Sequence, residues 1–345
     1  MRHLFWGLLL VVTILSSCED KKSDNFDLHI SGPQEKFRKG DLLRIKLQTQ
    51  VEKIDSVQYF YAGEYLKTVF DLEETQVELN HPLGGHELKA EVFSSGKKET
   101  SSKSINLYAE KSPTLYTYKV TRTFPHDIRA FTQGLEFYQD TLYESTGHYG
   151  LSSLRKVDYK SGEVLKEIKL DKEYFGEGIT IMNDKIYQLT WQEGVGFVYD
   201  LHTFEKLKTF NYNQSKEGWG LCNDGKVLYK SDGSNKIWLL DPETLKEIDY
   251  IEPVTHNSRA NRVNEMEFIN GKIYANTWQR EGVLIIDPVS GAVEGLIDFR
   301  GLKQKLDEPE KAEVFNGIAY NKTTGKMYVT GKNWDKLFEV EIVEK

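Results

Sequence analysis

Short runs of alternating apolar and polar residues fill most of the chain, and beyond about residue 114 they recur as a repeat. Each copy has an opening, a turn, a second strand with a tyrosine, and a further strand that closes on an acidic residue. The openings are Phe-Thr-Gln-Gly-Leu (131–135), Phe-Gly-Glu-Gly-Ile (175–179), Glu-Gly-Trp-Gly-Leu (217–221), Val-Asn-Glu-Met-Glu (263–267) and Val-Phe-Asn-Gly-Ile (314–318). The tyrosines, spaced 44, 42, 45 and 54 residues apart, are Tyr143, Tyr187, Tyr229, Tyr274 and Tyr328.

A period in the low forties with three or four short strands is typical of β-propeller blades. Five copies predict a five-bladed propeller whose first strands line a central channel. Turn residues agree, because Asn183-Asp184 and Asn270-Gly271 fall where hairpins between first and second strands are expected. The last copy lacks a fourth strand, and the run 114–124 is predicted to supply it and close the ring.

Residues 26–110 do not carry the repeat. Their apolar positions alternate with polar ones, for example at 43–47 and 87–92, between glycine-rich turns. This pattern is typical of a small antiparallel sandwich. The predicted fold class is therefore all-β, with an immunoglobulin-like β-sandwich over 26–110 and a five-bladed β-propeller, the expected catalytic domain, over 113–345. We interpret the sandwich as a spacer or an interaction module.

The N-terminus has the features of a targeting segment. Its apolar run, 4–15, is shorter than the roughly 20 residues that span a membrane. The run ends in Leu-Ser-Ser-Cys18, which resembles a bacterial lipobox. We expect a lipoprotein signal peptide over 1–18, lipidation at Cys18 and a tether over 19–25, hence an exported protein at the periplasmic face or the cell surface of the outer membrane. An ordinary signal peptide with an incidental cysteine is the alternative.

Composition excludes several kinds of chemistry. The net charge is −8 with acids and bases interspersed, so nucleic acid is not an expected partner. With Cys18 lipidated, Cys222 has no disulfide partner, and without a nearby histidine it is predicted to be a core residue. The eight histidines are scattered without ligand spacing, so no zinc site is expected.

The five openings bring candidate chemistry together, because the starts of first strands rim one mouth of the channel. They place there Gln133, Glu177, Trp219, Asn264 with Glu265, and Asn316, with Phe131 and Phe175 two residues ahead of the first two. Second-strand ends add Trp191, Trp278 and Lys332. An aromatic pocket with few polar groups is typical of a small-ligand site. Blade packing is the alternative for each aromatic residue, a solvated rim charge for Lys332, and backbone or ion binding for Glu265 and Glu267. Gly176 and Gly178 are predicted to leave Glu177 open to a ligand.

These motifs, including Phe131-Thr-Gln-Gly-Leu-Glu, Phe175-Gly-Glu-Gly-Ile-Thr, Asn261-Arg-Val-Asn-Glu-Met-Glu and Val314-Phe-Asn-Gly-Ile-Ala, closely resemble the plant-type glutaminyl-peptide cyclotransferases of plants and bacteria. The resemblance runs from about residue 114 to the C-terminus. It implies a five-bladed propeller, unrelated to the zinc-dependent animal enzymes, that converts N-terminal glutamine into 5-oxoproline with loss of ammonia. The active-site residues that it implies are Phe131, Gln133, Phe175, Glu177, Trp191, Trp219, Asn264, Trp278 and Lys332.

The reaction suggests a role for each residue. We expect Glu177 to move a proton from the attacking amine to the leaving group, and Lys332, Asn264 and Gln133 to hold the amide and stabilise the oxyanion. The five aromatic residues would bind the substrate. The expected partners are peptides or proteins with N-terminal glutamine, and the membrane through Cys18. No cofactor is expected, with a structural calcium ion in the channel left open. The alternatives are a non-catalytic peptide-binding propeller and a calcium-dependent propeller lactonase or hydrolase.

Overall fold

The computed structural model describes residues 25–33 and 36–345, so the predicted signal peptide and Cys18 lie outside the described residues. Tertiary contacts divide the chain into two units. One contains Leu42–Val77, His86–Ile105 and the described residues up to Gly32, and the other contains Pro33–Asp41, Glu78–Gly85 and Asn106–Lys345. Within the described part of the chain, no helix is long and apolar enough to cross a membrane.

Seven strands form the two sheets of the immunoglobulin-like sandwich. The first sheet has the order β1 (Phe26–Ser31), β2 (Leu42–Thr49), β5 (Thr75–Glu78). The second has the order β4 (Glu64–Val69), β3 (Ser56–Tyr61), β6 (Gly84–Ser94), β7 (Lys97–Leu107). Leu43, Ile45 and Leu47 are buried while their neighbours on β2 are exposed or half-buried. The alternation that predicted these strands is therefore the alternation between core and solvent.

Twenty strands form the five blades of the propeller. Blade 1 has β9 (Thr132–Tyr138), β10 (Thr141–Thr146), β11 (Ser153–Asp158) and β12 (Glu163–Lys169). Blade 2 has β13 (Gly176–Met182), β14 (Lys185–Thr190), β15 (Val195–Asp200) and β16 (Lys206–Asn211). Blade 3 has β17 (Leu221–Asn223), β18 (Leu228–Ser231), β19 (Ile237–Leu240) and β20 (Glu247–Ile251). Blade 4 has β21 (Val263–Ile269), β22 (Lys272–Thr277), β23 (Gly282–Ile286) and β24 (Val293–Asp298).

Blade 5 combines both ends of the propeller sequence. Its strands are β25 (Phe315–Asn321), β26 (Lys326–Gly331), β27 (Lys336–Glu344) and β8 (Thr114–Pro125). The antiparallel pairing of β8 with β27 confirms that the run 114–124 completes the last blade. The start of β8 also pairs in parallel with β24, which joins blades 4 and 5 in one eight-stranded sheet and was not predicted.

The first strand of every blade contacts the first strands of both neighbouring blades, so five inner strands surround the channel. In four of the blades the register slips at the start of this strand. A β-bulge of this kind re-aims a side chain relative to the regular alternation. The residues that begin the four bulges are Gln133, Glu177, Asn264 and Asn316.

Glycines stand next to Gln133 and Glu177 because the strands approach closely there. A Cβ added to Gly134 would lie 2.5 Å from the amide nitrogen of Ile179, and one added to Gly178 would lie 2.6 Å from that of Leu221. A Cβ on Gly176 would lie 2.8 Å from the carbonyl oxygen of Thr146. The prediction that Gly176 and Gly178 leave room for a ligand is therefore wrong, since they leave room for backbone.

Gly220 gives the sharpest test of this close approach. A Cβ there would overlap the carbonyl oxygen of Asn264, whereas one on Gly282, in β23, would make an ordinary contact at 3.4 Å. We expect Gly220→Ala to lower the free energy of unfolding by about 3 kcal/mol. Gly282→Ala, the control, should change it by no more than about 1 kcal/mol. Urea denaturation measures both, and equal effects would contradict the packing argument.

Candidate active site

The mouth of the channel where the inner strands begin contains a cavity of about 460 Å³. The residues that line it are Phe131, Gln133, Phe175, Glu177, Trp191, Glu217, Trp219, Gly233, Arg262, Asn264, Trp278 and Lys332. All nine residues that the sequence put forward as catalytic or substrate-binding are in this set. Asn316 and Glu265, which were expected at the same level, are not.

Five of the twelve residues that line the cavity are aromatic. Phe175 lies edge-on to both Phe131 and Trp191, with ring centroids 6.2 and 5.6 Å apart. Trp219 and Trp278 form a second edge-on pair at 5.9 Å. Apolar walls with a few polar groups suit a short side chain with a polar end.

Glu177 is the buried carboxyl of the site. It is 5% exposed, and the Gln133 side-chain amide donates a hydrogen bond of 2.9 Å to its Oε1 atom. Burial raises the pKa of Glu177 well above its usual range; Lys332 opposes the rise, and Glu217 and Glu193 add to it. A carboxyl of raised pKa is a better base once ionised, which is the property required of a proton shuttle.

Lys332 is the buried amine of the site. Its ammonium lies 4.5 Å from the centroid of the Phe131 ring, and the residue is 6% exposed. Burial lowers the pKa of Lys332, while Glu177 and Glu313 oppose that fall. The ammonium has no hydrogen-bond partner within the described residues, so its donors are available to an oxygen atom in the cavity.

Asn316 lies beneath the cavity and orients two residues that line it. Its Nδ2 atom donates to the carbonyl oxygen of Thr132 at 2.9 Å and to Oε1 of Gln133 at 3.4 Å. Its Oδ1 atom accepts from Nδ2 of Asn264 at 3.0 Å. Because Asn264 is bonded through its nitrogen, its Oδ1 atom is left to accept a hydrogen bond from a ligand.

Two charged residues of the cavity, Glu217 and Arg262, were not predicted from the sequence. The Oε2 atom of Glu217 accepts hydrogen bonds from the indole nitrogens of Trp191 and Trp219, both at 2.9 Å. The guanidinium of Arg262 lies 5.0 Å from the centroid of the Trp278 ring. Both occupy the repeat position of Phe131 and Phe175, two residues ahead of a predicted site residue. Comparing that position in the successive copies of the repeat would have identified both residues as part of the site.

Deeper in the channel, three buried glutamates bind the backbone of a neighbouring inner strand. Glu265 accepts from the amide nitrogen of Ile318 at 2.9 Å, Glu267 from that of Tyr320 at 3.0 Å, and Glu136 from that of Ile181 at 3.1 Å. Of the two interpretations of Glu265 and Glu267, the contacts favour backbone binding. The described residues contain no group of three or more His, Cys, Asp or Glu arranged to hold a metal ion.

Comparisons with known proteins agree with the resemblance seen in the motifs. The family model described as Glutamine cyclotransferase matches residues 88–342. The chain is 42% identical over 228 residues to a glutaminyl-peptide cyclotransferase of Arabidopsis thaliana, covering 65% of this chain and 71% of that protein. The crystal structure of Myxococcus xanthus glutaminyl cyclase matches with a TM-score of 0.62 and 35% identity, covering 68% of this chain and 99% of that one.

The channel glutamates predict how stability depends on pH. Burial raises the pKa of Glu136 from 4.5 to about 7. In that interval the unfolded chain is ionised while folded Glu136 keeps its proton, so its contribution is complete below pH 4.5 and is lost as pH rises through about 7. Glutamine at position 136 keeps a hydrogen-bond acceptor but does not ionise. We therefore expect Glu136→Gln to reduce the fall in the free energy of unfolding between pH 4.5 and pH 8 by about 3 kcal/mol. Urea midpoints at pH 4.5 and pH 8 measure it, and identical pH dependence in both proteins would contradict the argument.

Proposed function

This chain belongs to the glutamine cyclotransferase family, and we propose that it converts the N-terminal glutamine of peptides or proteins into 5-oxoproline with release of ammonia. The observation that carries the proposal is that a buried carboxyl, Glu177, and a buried amine, Lys332, line one aromatic cavity. The glutaminyl-peptide cyclotransferase activity of a relative that is 42% identical supports the same conclusion.

The first contribution of the site is geometric. The substrate amine attacks the carboxamide carbon of its own side chain, so no covalent enzyme intermediate is needed. The barrier lies in holding the side chain curled, and a pre-organised near-attack geometry removes much of that entropic cost. The ring faces of Trp191, Trp219 and Trp278 supply the walls for it.

The second contribution is proton transfer through Glu177. As the new C–N bond forms, the carboxylate takes a proton from the amine nitrogen. It then returns the proton to the carboxamide nitrogen, the old C–N bond breaks, and ammonia leaves with the carboxylate regenerated. The raised pKa of Glu177 makes its carboxylate a stronger base for the first step than an exposed glutamate would be. The hydrogen bond from Gln133 favours a role for that residue in orienting the carboxyl.

The third contribution is stabilisation of charge on the amide oxygen. The ammonium of Lys332 is a donor without a protein partner among the described residues, and it sits in a water-poor site where such donors act strongly. The free Oδ1 atom of Asn264 would accept from the carboxamide nitrogen and so fix which end of the amide faces Lys332.

We propose that this chemistry needs no metal ion. The cavity lining contains no histidine, cysteine or aspartate, and one of its two carboxylates, Glu217, already accepts two indole hydrogen bonds. That donor set is poor for the metals used in hydrolysis. The bonding of Glu265 and Glu267 to backbone amides likewise disfavours the calcium-dependent lactonase alternative.

Replacement of Glu177 tests the mechanism. We expect Glu177→Gln to lower kcat for ammonia release from a glutamine-initiated dipeptide by about 10³-fold, because general acid–base catalysis contributes effects of this size. The matched control is Glu339→Gln, a buried carboxyl of blade 5 that accepts from the Tyr328 and Thr121 hydroxyls and does not line the cavity. It should retain kcat.

Chelation completes the same experiment. Ammonia release by the unmodified protein should be unchanged in EDTA, and a chelator-sensitive activity would exclude the metal-independent mechanism. Full turnover by Glu177→Gln would contradict the proton-shuttle role. Binding of the dipeptide without turnover by the unmodified protein would favour the alternative of a non-catalytic binding propeller.

We also propose that the protein acts outside the cytoplasm, attached to a membrane by lipid at Cys18. The lipobox-like sequence before that residue supports this proposal, which rests on the sequence because Cys18 lies outside the described residues. In a bacterial host we expect Cys18→Ala to move the protein from the membrane fraction to the soluble fraction, or to leave it with its signal peptide uncleaved. Immunoblots of the fractions measure this, and unchanged membrane association of a cleaved variant would contradict it.

A further inference from the structure

A buried ion pair lies behind Trp191 and Trp219, which line the cavity, and the proposed mechanism does not use it. Lys230, on β18, and Glu247, on β20, have side chains that are 0% and 1% exposed, with 2.9 Å between Nζ and Oε1. A pair buried so completely contributes little net stability, because desolvation of both charges offsets their attraction. Its contacts therefore indicate what it does.

Glu247 binds the loop that follows β16. Its Oε2 atom accepts from the backbone amides of Asn213, Gln214 and Ser215, at 3.3, 2.6 and 3.0 Å. Although burial opposes ionisation, Lys230 and the Ser215 hydroxyl lower the pKa of Glu247 to about 2. The carboxylate thus stays charged and holds the loop from its inner side.

Lys230 holds the end of the same loop. Its Nζ atom donates to the carbonyl oxygen of Glu217 at 2.9 Å and to the hydroxyl of Ser215. It also lies 3.9 Å from the centroid of the Tyr212 ring. The Tyr212 hydroxyl donates to the carbonyl oxygen of Thr190 at 2.8 Å and accepts from its amide at 3.0 Å. Thr190 directly precedes Trp191, and Glu217 lies two residues before Trp219. The buried polar groups therefore hold the backbone next to both indoles.

Glu217 carries this order into the cavity. One of its oxygens accepts from the indoles of Trp191 and Trp219, at 2.9 Å each, and the other accepts from the side chain of Gln192 at 3.1 Å. Two indole planes from different blades are therefore set by one carboxylate. Its backbone is fixed by Lys230, and Lys230 in turn by Glu247.

We propose that Glu217, held in place by the Lys230–Glu247 pair, is a positioning residue that sets the angle between the Trp191 and Trp219 rings and thereby the affinity for the curled glutamine side chain. The part that concerns affinity rests on the proposed function. The part that concerns ring orientation does not, and it can be measured without turnover. Glu217 would act through the two indoles, because its two oxygens accept from side chains of the wall and not from the substrate. Its charge also adds to the rise in the pKa of Glu177, an effect that the Glu247 variant leaves in place.

The test compares two amides with a control. Glu217→Gln removes the charge that binds both indoles, and Glu247→Gln weakens the support behind it while keeping an acceptor for the loop. The control is Glu339→Gln, a residue 4% exposed and bonded to Tyr328 and Thr121 in blade 5. We expect both test variants to weaken the near-ultraviolet circular dichroism of the indoles and to raise KM about tenfold with kcat within about threefold, as loss of uniform binding does. The control should change neither quantity.

The outcomes separate this proposal from the proposed function. If the unmodified protein turns over and folded Glu217→Gln or Glu247→Gln keeps both its KM and its indole spectrum, the positioning role is overturned and the activity stands. If the unmodified protein shows no turnover, the activity fails and the spectra alone decide the positioning role. Should Glu247→Gln not fold, Tyr212→Phe replaces it, since it removes only the hydroxyl that binds Thr190 and is expected to give the same changes.

Discussion

The close approach of five inner strands at one mouth of the channel is the constraint on which the propeller and its site depend. Where blades 1, 2 and 3 meet the next blade, no Cβ fits, and the residues there are Gly134, Gly178 and Gly220. Blade 4 has Glu265 at this repeat position, and its carboxylate bonds to the amide of Ile318 in blade 5 instead. The residue before this position cannot point between the strands. In blades 1, 2, 4 and 5 it sits on a bulge, and in blades 1 to 4 its side chain lines the cavity.

The same narrowness sets the electrostatics. Glu177 and Lys332 are 5% and 6% exposed, so burial drives each toward its neutral form, and the charge of the other opposes that shift. The balance leaves a carboxyl and an amine whose pKa values are moved toward each other. A site between wider-spaced strands would hydrate both groups and restore their ordinary pKa values. The packing that demands glycine therefore also produces the pKa shifts on which the proposed acid–base chemistry depends.

Much of this could be predicted from sequence because a propeller repeats. The period of the tyrosines located the second strands, and the missing fourth strand in the last copy identified β8 as its replacement. What failed were features decided by a neighbour rather than by a repeat. A glycine in the sequence shows that a Cβ atom is absent, but it does not show which group fills the space. The space beside Gly176 and Gly178 was therefore predicted to admit a ligand, whereas neighbouring backbone fills it. Glu217 escaped notice because aromatic residues fill its position in the first two copies. The parallel contact of β8 with β24 has no local pattern at all.

The hydrogen bonds behind Trp191 and Trp219 link the cavity to residues on the outer strands of a blade, so the geometry of the site depends on more than the residues that line it. A buried indole N–H needs an acceptor, and here both nitrogens share one oxygen of Glu217. A carboxylate that accepts from two rings can set their angle only if its own backbone is fixed, and its carbonyl oxygen is bonded to Lys230. Buried Lys230 needs a counter-ion, which β20 supplies as Glu247 from the outer edge of blade 3. Each of these polar groups is thus bonded to another that lies farther from the cavity, and the series ends at Glu247 on β20, the last strand of the blade. On the positioning role proposed for Glu217, a substitution of Glu247 on this outer strand would therefore change the orientation of the indoles through a continuous series of hydrogen bonds.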